Sequence, residues 1–494
     1  MLERELKLEA PPGFVLPDLR QVTADVASAD ESVEKLKTTY FDTRDLRLTR
    51  WGCSLRYRIG QGWTVKLPSE ESSNGDLLVR GEHEFKGSPN TPPPEALDLL
   101  TAYLRRSAVH PVARLRTKRQ MVTLKGSDGS PLAETVKDEV AVVEGRKVAG
   151  RFREIEVELK DAASDSLLPA IVERLSVAGA GSPNPTPKVV RALGARAQRA
   201  PELECEELAP EATAGAALRR ALVQSATRLL RHDAGIRLAS DTEDVHQARV
   251  AVRRLRSHLR TFLPLMDIEW AVSLRQELGW LGDELGGVRD ADVLMERLRR
   301  YADGLPPQDR NAGAKILALL AAQRDAAMKR LKETIHAARY VELLKRLVDS
   351  ARTPQLAPIA AEAGALTLPP LVASLWRNVK SKVDDFGTDP EDKQLHKLRI
   401  RTKRCRYAAE AVSPIIGKGA RSFAKAAADL QSVLGEQHDA VVAMQWLRDH
   451  ACTGNLTFVA GHFSALAHTA STKARNQWQQ CWRKFDRKKM RAWM

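Results

Sequence analysis

The chain has 494 residues, of which 43% are hydrophobic and 29% charged, and it carries a net charge of +15. This length exceeds what one core usually serves, so we expect several domains. No apolar run approaches the ~18 residues of a membrane helix, and the acidic start, MLERELKLEA, lacks the features of a signal peptide. We therefore predict a soluble cytoplasmic protein. Five scattered cysteines without a C-x-x-C pair disfavour a disulfide framework or a zinc site.

The positive charge is unevenly distributed. Residues 1–200 contain 31 basic and 28 acidic residues, a net of +3, whereas residues 201–494 contain 47 and 35, a net of +12. A surface of this kind favours polyanions such as nucleic acid or polyphosphate. A solvated basic surface is the alternative.

Residues 1–195 contain short stretches in which residue types alternate, such as SLRYRI, WTVKL and REIEVELK. Alternation over four to eight residues is typical of strands, and turn signals such as NGD at 74–76 separate these stretches. Residues 95–106 and 161–178 look helical. We predict an α+β fold whose first domain is dominated by antiparallel strands.

Several of these strands place charges of one sign on one face. The alternating sets are Glu3, Glu5 and Lys7; Arg56 and Arg58; Arg114, Arg116 and Lys118; and Glu154, Glu156 and Glu158. Apolar residues occupy the opposite face, so the sheet would have an apolar outside and a charged inside. Because burying unpaired ions costs several kcal/mol each, a closed β-barrel with a water-filled interior explains the pattern best. Exposed faces with cross-strand salt bridges are the alternative.

Such an interior suits a triphosphate. Paired carboxylates can hold a hard divalent cation through oxygen ligands. Arginine and lysine on the facing strands can bind phosphate oxygens, arginine often in bidentate fashion.

In chain order, the segments ERELK, YFDTRDLRL, LRYR, WTVKLP, RGEHEF, RTKR, ETVKDEV, EIEVEL and PKVVRAL resemble the CYTH domain of the triphosphate tunnel metalloenzymes, over residues 1–195. The resemblance implies a phosphoanhydride hydrolase that uses Mg²⁺ or Mn²⁺. It implies the metal ligands Glu3, Glu5, Asp138, Glu154 and Glu156, with catalysis most dependent on Glu5 and Glu156. It implies the phosphate-binding residues Lys7, Arg56, Arg58, Lys66, Arg116, Lys118 and Lys188.

Some details stay open at this point. Glu154, Glu156 and Glu158 are equivalent by pattern, so the two that bind metal are not decided. Pro187 stands where the family commonly has serine. Inorganic triphosphate or short polyphosphate is the expected substrate, whereas thiamine triphosphate, RNA 5′-triphosphate ends and ATP are alternatives within the family. A scaffold that binds phosphate chains without catalysis is a further alternative.

An acidic linker is predicted at 196–215, and residues 216–494 change to helical periodicity. This second domain repeats itself. VHQARVAVRRLR begins at 245 and LHKLRIRTKRCR at 395, while LGGVRDAD at 285–292 matches LGEQHDAV at 434–441. We predict a duplicated helical domain with repeats at 216–350 and 370–494.

Each repeat carries a row of cations on one helix face, at spacings of three and four residues. The rows are His246, Arg249, Arg253 and Arg256, and His396, Arg399, Lys403 and Arg406. The matching residues upstream are Arg228 and Arg231, and Arg377 and Lys380. One cation roughly every 5 Å suits a linear polyanion. A solvated face, or salt bridges to Asp290, Asp292 and Asp439, is the alternative, and few residues suit base-edge readout of nucleic acid.

These segments resemble the CHAD domain, a duplicated helical-bundle family, over roughly 216–494. The resemblance implies that the twelve residues of the two sets bind inorganic polyphosphate. It is compatible with a location at polyphosphate granules. LGEQHDAV departs from the first copy by having Gln437 and His438 in place of Val288 and Arg289.

Overall fold

The computed structural model divides into two compact units, Met1–Glu202 and Leu203–Met494. It describes residues 2–69, 77–160, 163–239, 241–451 and 454–494, apart from the side chains of 2, 3, 77, 78 and 455. The boundary between the units lies inside the predicted linker.

Among the described residues, the first unit contains eight strands that close into an antiparallel barrel. Around the barrel the order is β1-β5-β4-β3-β2-β6-β7-β8. The strands are Leu2–Glu9 (β1), Ser28–Asp42 (β2), Ser54–Arg58 (β3), Gly62–Pro68 (β4), Leu77–Phe85 (β5), His110–Lys125 (β6), Pro131–Glu144 (β7) and Lys147–Leu159 (β8). The predicted closed barrel is confirmed.

Alternation along the strands separates an apolar outer layer from a charged interior. Leu6 and Leu8 of β1 join Ile155 and Val157 of β8 in a core that packs outside the barrel, against Ile171 and other apolar residues of a helix. Their neighbours in sequence point inward, and Lys7 lies directly opposite Glu156 in the β1–β8 pair. The short helices of this unit are Arg47–Arg50 (α1), Pro94–Leu99 (α2), Thr101–Leu104 (α3), Leu167–Val177 (α4) and Lys188–Leu193 (α5).

Toward one end, the barrel interior becomes apolar. Tyr40, Leu115 and Val140 of three strands pack with Val189 of α5. The interior thus changes from charged to apolar along β6 and β7, so a charged residue near this end points outward. Near this end, the apolar residues of β6 therefore lie inside the barrel and its charged residues lie outside.

The described residues of the second unit form helices and turns, with isolated bridges but no named strand. The helices are Ala214–Leu238 (α6), Thr242–Thr261 (α7), Ile268–Ala302 (α8), Arg310–His336 (α9), Ala338–Arg352 (α10), Gly364–Asp384 (α11), Asp392–Ile416 (α12), Lys418–His450 (α13), Thr457–Phe485 (α14) and Lys488–Arg491 (α15). Within the described parts of the chain, no helix combines the length and apolar character that a membrane crossing requires.

The duplication in sequence is a duplication in structure. Helices α6 to α8 correspond to α11 to α13, and the two sets begin side by side. The Ala214 amide donates to the Glu362 carbonyl at 3.0 Å, and the Gly364 amide donates to the Ala212 carbonyl at 3.0 Å. Helices α7 and α12, which carry the predicted cation rows, pack against each other.

Candidate functional site

The charged part of the barrel encloses a cavity of about 450 Å³, within the size range of small-molecule sites. Its walls carry carboxylates and cations in nearly equal numbers. The charged lining residues are Glu5, Lys7, Arg56, Arg58, Lys66, Arg80, Glu82, Glu84, Arg119, Glu134, Glu156, Glu158 and Lys188.

Three carboxylates converge at the inner wall. One oxygen of each of Asp138, Glu154 and Glu156 lies within 4.8 Å of the others, and all three residues are buried. They meet because Asp138 of β7 lies opposite Glu154 of β8, with Glu156 two residues further along the same face. Lys188, the first residue of α5, places its Nζ at 3.0, 2.7 and 2.7 Å from Asp138, Glu154 and Glu156.

A second lysine extends this arrangement toward β1. Lys7 Nζ contacts Glu156 closely and lies 3.7 Å from Glu154 and 3.8 Å from Glu5. Glu5 is held by Arg80 from β5. The carboxylates are therefore linked into one network by two buried ammonium groups and a guanidinium.

Guanidinium groups cover the other walls. Arg119 donates two bonds to Asp138, at 2.9 and 2.6 Å, and a third to Glu156 at 3.3 Å. Arg56 and Lys66 share Glu82, at 3.1 and 3.0 Å. These groups bring fixed N–H donors to the cavity, and phosphate oxygens could accept hydrogen bonds from them.

The network keeps its members charged. Burial alone would raise the pKa of Asp138 and Glu156, but Lys188 and Arg119 lower it, for Glu156 well below the usual range. Conversely, burial would lower the pKa of Lys188, yet the surrounding carboxylates raise it. Burial and the adjacent Arg56 and Arg119 charges lower the pKa of Arg58 to about 10. An anion beside Arg58 would therefore be stabilised by its guanidinium and by those of Arg56 and Arg119.

The donor set of the carboxylate cluster fits a hard divalent cation. Mg²⁺ and Mn²⁺ prefer carboxylate oxygens, and the oxygens of Asp138, Glu154 and Glu156 already converge on one cationic group, Lys188 Nζ. Ionised carboxylates are required for such binding, and the lowered pKa of Asp138 and Glu156 supplies them.

The second unit contains a cation cluster where α7 packs on α12. The cluster comprises Arg249, Arg253, Arg256, Arg289, Arg399 and Lys403. Two of these cations have carboxylate partners: Arg249 lies 3.1 Å from Asp290, and Arg399 lies 3.6 Å from Asp439. Among the described residues, Arg253 and Lys403 have no carboxylate within 4 Å. Arg253 instead donates to the Tyr407 hydroxyl at 2.9 Å.

The repeated Leu-Gly segments explain how this cluster is built. Gly286 of α8 lies against the Arg249 guanidinium, where any Cβ atom would collide. The corresponding Gly435 of α13 lies against Arg399, so that an added Cβ atom would be 3.6 Å from its Nε. Asp290, one helical turn after Gly286, then pairs with Arg249. The repeat therefore preserves a unit of arginine, glycine and aspartate.

Two shallow grooves run beside the cluster. One, of about 390 Å³, has six cations and no carboxylate in its described lining, which comprises Arg253, Arg256, Ser257, Arg260, Arg275, Ile400, Lys403, Arg404 and Tyr407. The other, of about 280 Å³, lies between α7 and α8 and includes Asp283 and Asp290. Burial and the adjacent Arg399 and Arg253 charges lower the pKa of Lys403 to about 7. Asp439 offsets this repulsion only in part.

The profile of the CYTH domain family matches residues 1–182, and that of the CHAD domain family matches residues 216–448. The chain combines a CYTH domain with a CHAD domain. The predicted recognition of both families is confirmed, and the barrel is a domain of the triphosphate tunnel type.

Similar proteins include the "Uncharacterized protein Rv2226" of Mycobacterium tuberculosis, which is 29% identical and aligns over 98% of this chain and 96% of its own length. Two solved structures are also similar. PptA from Streptomyces chartreusis is 24% identical, with a TM-score of 0.46, and covers 55% of this chain and 100% of its own. The CHAD domain from the plant Ricinus communis is 26% identical, with a TM-score of 0.42, and covers 59% and 94%.

Most residues predicted for the CYTH site meet in the barrel interior. These are Glu5, Lys7, Arg56, Arg58, Lys66, Asp138, Glu154, Glu156 and Lys188. The side chain of Glu3 lies outside the described residues. Glu158 also faces inward, but it is not part of the carboxylate cluster. It pairs instead with Lys160, at 2.7 Å.

Arg116 and Lys118 require a correction. The structure places both on the exposed outer face of β6, away from the CYTH cavity, because Leu115 and Thr117 take the inward positions near the apolar end. Arg119 is the residue of this segment that reaches the cavity. In RTKR, both faces of the strand carry cations, so alternation could not select the inward one.

Sequence reasoning missed several interior residues. Arg80 and Glu82 alternate in RGEHEF and could have been found by the same pattern as Arg56 and Arg58. Arg191 of α5 donates to Glu154 at 2.9 Å, a contact that depends on how the helix closes the barrel and has no signal in the sequence.

The structure brings the predicted CHAD residues together at the centre of the rows and not upstream of them. Arg228 donates to Gln247 at 3.2 Å beside the first row, whereas Arg231 and Arg377 are exposed on α6 and α11. Lys380 pairs with Asp384 at 3.0 Å. Arg406 pairs with Glu410 at 2.7 Å.

The histidines lie at the ends of the rows. His396 and His438 lie in contact, with 3.1 Å between their Nδ1 atoms. In the first repeat, the positive charge of Arg289 acts on His246 from the position that corresponds to His438. In each repeat, therefore, a helix that follows the row brings a basic side chain toward the row's histidine.

Proposed function

We propose that the CYTH domain hydrolyses a phosphoanhydride bond of inorganic triphosphate or short polyphosphate, with a divalent cation. The observation that carries this proposal is the cavity whose lining combines Glu156 of the carboxylate cluster with several guanidinium groups. An anion-binding site alone has no need of Asp138, Glu154 and Glu156 beside the cations. The cavity also limits the substrate to a few phosphates at a time.

The position of each residue in the barrel suggests its role in the proposed reaction. Asp138, Glu154 and Glu156 would hold Mg²⁺ or Mn²⁺, which supplies charge neutralisation of the phosphate oxygens. Arg56, Arg58, Lys66, Arg80 and Arg119 would bind and align the phosphate chain through N–H donors. Glu5, held between Lys7 and Arg80, would orient the attacking water.

The reaction joins water oxygen to the terminal phosphorus and breaks its bond to the bridging oxygen. Tripolyphosphate and water then give pyrophosphate and orthophosphate, and a proton leaves to solvent. Positively charged donors stabilise the charge that develops on the transferred and departing oxygens.

A matched pair of neighbouring residues tests this assignment. Asp138 is buried in the barrel interior beside Arg119 and Lys188, whereas Glu139, the next residue of β7, is exposed on the outer face. Asp138→Asn should abolish Mn²⁺ binding, which electron paramagnetic resonance measures. It should also lower tripolyphosphate turnover by roughly 10²-fold or more. Glu139→Gln should leave both unchanged. Equal turnover in the two variants would overturn the proposal.

We propose further that the CHAD domain binds long polyphosphate at the cation cluster. The supporting observation is the groove lined by six cations without a described carboxylate. Replacing Arg249, Arg253, Arg399 and Lys403 by alanine should abolish long-chain binding and leave tripolyphosphate hydrolysis nearly intact. The control removes the same charge from exposed positions, Arg310, Lys329, Arg421 and Arg448. Equal affinity and salt dependence in both variants would contradict the proposal.

A further inference from the structure

The outer wall of the CYTH barrel carries a second cationic surface, distinct from the cavity. Two rows of outward-facing residues cross β2, β6, β7 and β8 at directly paired positions. We call these rows the outer basic face. Its members are Lys35, Lys118, Glu139 and Arg153 in one row, and Lys37, Arg116, Ala141 and Arg151 in the other.

Charge on this face is strongly unbalanced. Six of its members are cations and Glu139 is its single carboxylate. The nearest described partner of Glu139 is Lys137, at 3.7 Å. All six cations are exposed, and none forms a described salt bridge. The face therefore presents an array of unpaired positive charge.

The pairing in the sheet makes the imbalance unusual. Lys35 lies directly opposite Lys118, and Lys37 directly opposite Arg116. Like charges at directly opposed positions destabilise an antiparallel pair. A structural sheet would gain from acidic partners at these positions. A local rule broken twice side by side is typical of a functional surface.

The shape and chemistry of the face favour a chain of phosphates. The rows border a groove of about 390 Å³. The cations of β2 and β6 lie ~4.8 Å apart across the strands and ~6.8 Å apart along them, and the cations of β8 follow one strand further on, beyond Glu139 and Ala141 of β7. The one aromatic residue in the described groove lining, Phe152, packs with the inner cluster of Tyr40 and Leu115, and none of the eight members of the face is aromatic, so the face offers no ring on which nucleic-acid bases would stack. A polyanion without bases fits best.

We propose that the outer basic face binds inorganic polyphosphate chains that are longer than the cavity can hold. This inference rests on the proposed function, since it takes polyphosphate as the substrate class. The cavity would hold the few phosphates at the reacting end, and the outer basic face would hold a further stretch of the chain. Affinity for long chains would then exceed affinity for tripolyphosphate even when the CHAD cluster is neutralised.

Lysine acetylation of the full-length chain, read by mass spectrometry, tests the site directly. The chain used carries the four CHAD substitutions described above, so that binding there does not interfere. Polyphosphate of about one hundred units should protect Lys35, Lys37 and Lys118, and tripolyphosphate should not. Lys86, which is exposed elsewhere in the same unit, serves as the unprotected control. Equal modification of all four lysines would overturn the proposal.

A matched pair of variants adds a kinetic test. Arg116, Lys118, Arg151 and Arg153 are replaced by alanine, and the control replaces Arg44, Lys86, Arg174 and Arg199, which are exposed on the same unit. The first variant should raise KM for long polyphosphate about tenfold and lower the salt slope of binding by about 3. KM for tripolyphosphate should stay unchanged in both.

The outcomes separate this proposal from the proposed function. If the parent chain hydrolyses no tripolyphosphate, the proposed function fails, whereas the protection pattern still decides the outer basic face. Stronger protection by single-stranded RNA, or by vesicles of anionic lipid, than by polyphosphate at equal phosphate concentration would overturn the proposal.

Discussion

In the CYTH barrel, Lys7 and Lys188 lie between carboxylates, whereas in the CHAD domain Arg253 and Lys403 lie among other cations. The barrel interior is a nearly neutral network, which holds its charges in place before any ligand binds. In the CHAD cluster the cations outnumber their described carboxylate partners, so a bound anion would relieve repulsion. Under the proposed function, the barrel would bind phosphate through groups that are already aligned, whereas the CHAD cluster would bind it through a deficit of negative charge.

The strongest test of the charged network in the barrel is the substitution Glu156→Gln. Glu156 contacts Lys7, Arg119 and Lys188, so its loss removes a carboxylate from the cluster and deprives three cations of a shared partner. Tripolyphosphate turnover should fall roughly 10²-fold or more. Steady-state phosphate release measures it, with Glu139→Gln as control. An unchanged kcat would show that Glu156 has no part in the reaction.

Stability should respond in opposite directions in the two domains. Lys7 is 3% exposed and bridges several carboxylates, so Lys7→Met should lower the free energy of unfolding by about 3 kcal/mol. Lys403→Met relieves repulsion with Arg399 and Arg253, so it should raise that energy by about 1 kcal/mol. Calorimetric unfolding without phosphate ligands compares the two. Destabilisation of similar size in both variants would erase the distinction.

Polyphosphate binding should depend on pH through Lys403. Its pKa of about 7 means that the amine loses its proton as the pH rises through neutrality. Because bound phosphate favours the ammonium form, binding takes up a proton and the affinity should fall up to tenfold between pH 7 and 8. Lys403→Arg stays charged and should remove this dependence. Titrations at matched ionic strength decide, and a flat profile in the parent chain would contradict the prediction.

The smallest effect concerns Gly286. A Cβ atom there would collide with the Arg249 guanidinium, so Gly286→Ala should displace this flexible side chain and weaken long-chain binding a few-fold. Gly287→Ala is the matched control, since its Cβ would meet Ala327 at an ordinary 3.6 Å. Equal affinities would show that the position of Arg249 is unimportant.

Alternation predicted the barrel and its inward carboxylates because Glu5, Glu154 and Glu156 lie on strands whose other face is plainly apolar. It failed for Arg116 and Lys118, where the apolar end of the interior reverses the pattern. Local periodicity cannot reveal such a reversal, since it arises from Val189 of a distant helix packing on Tyr40 and Leu115.

Helical spacing likewise predicted each cation row of the CHAD domain, but it did not predict that the two rows lie side by side. The rows merge because α7 packs against α12, a contact between segments 150 residues apart in the sequence. Arg260, Arg275 and Arg404 join the groove only through that packing. The sequence showed the repeat, whereas the shared site depends on how the repeats associate.

The reciprocal hydrogen bonds between Ala214 and Glu362 and between Gly364 and Ala212 are the pattern of an isologous interface, in which each partner offers the other the same surface. A homodimer of a single repeat would therefore assemble two arginine rows face to face. Arg289 and His438 occupy corresponding positions at which the two repeats differ. The two repeats are thus related as two subunits of a symmetric dimer would be, but with different side chains at corresponding positions.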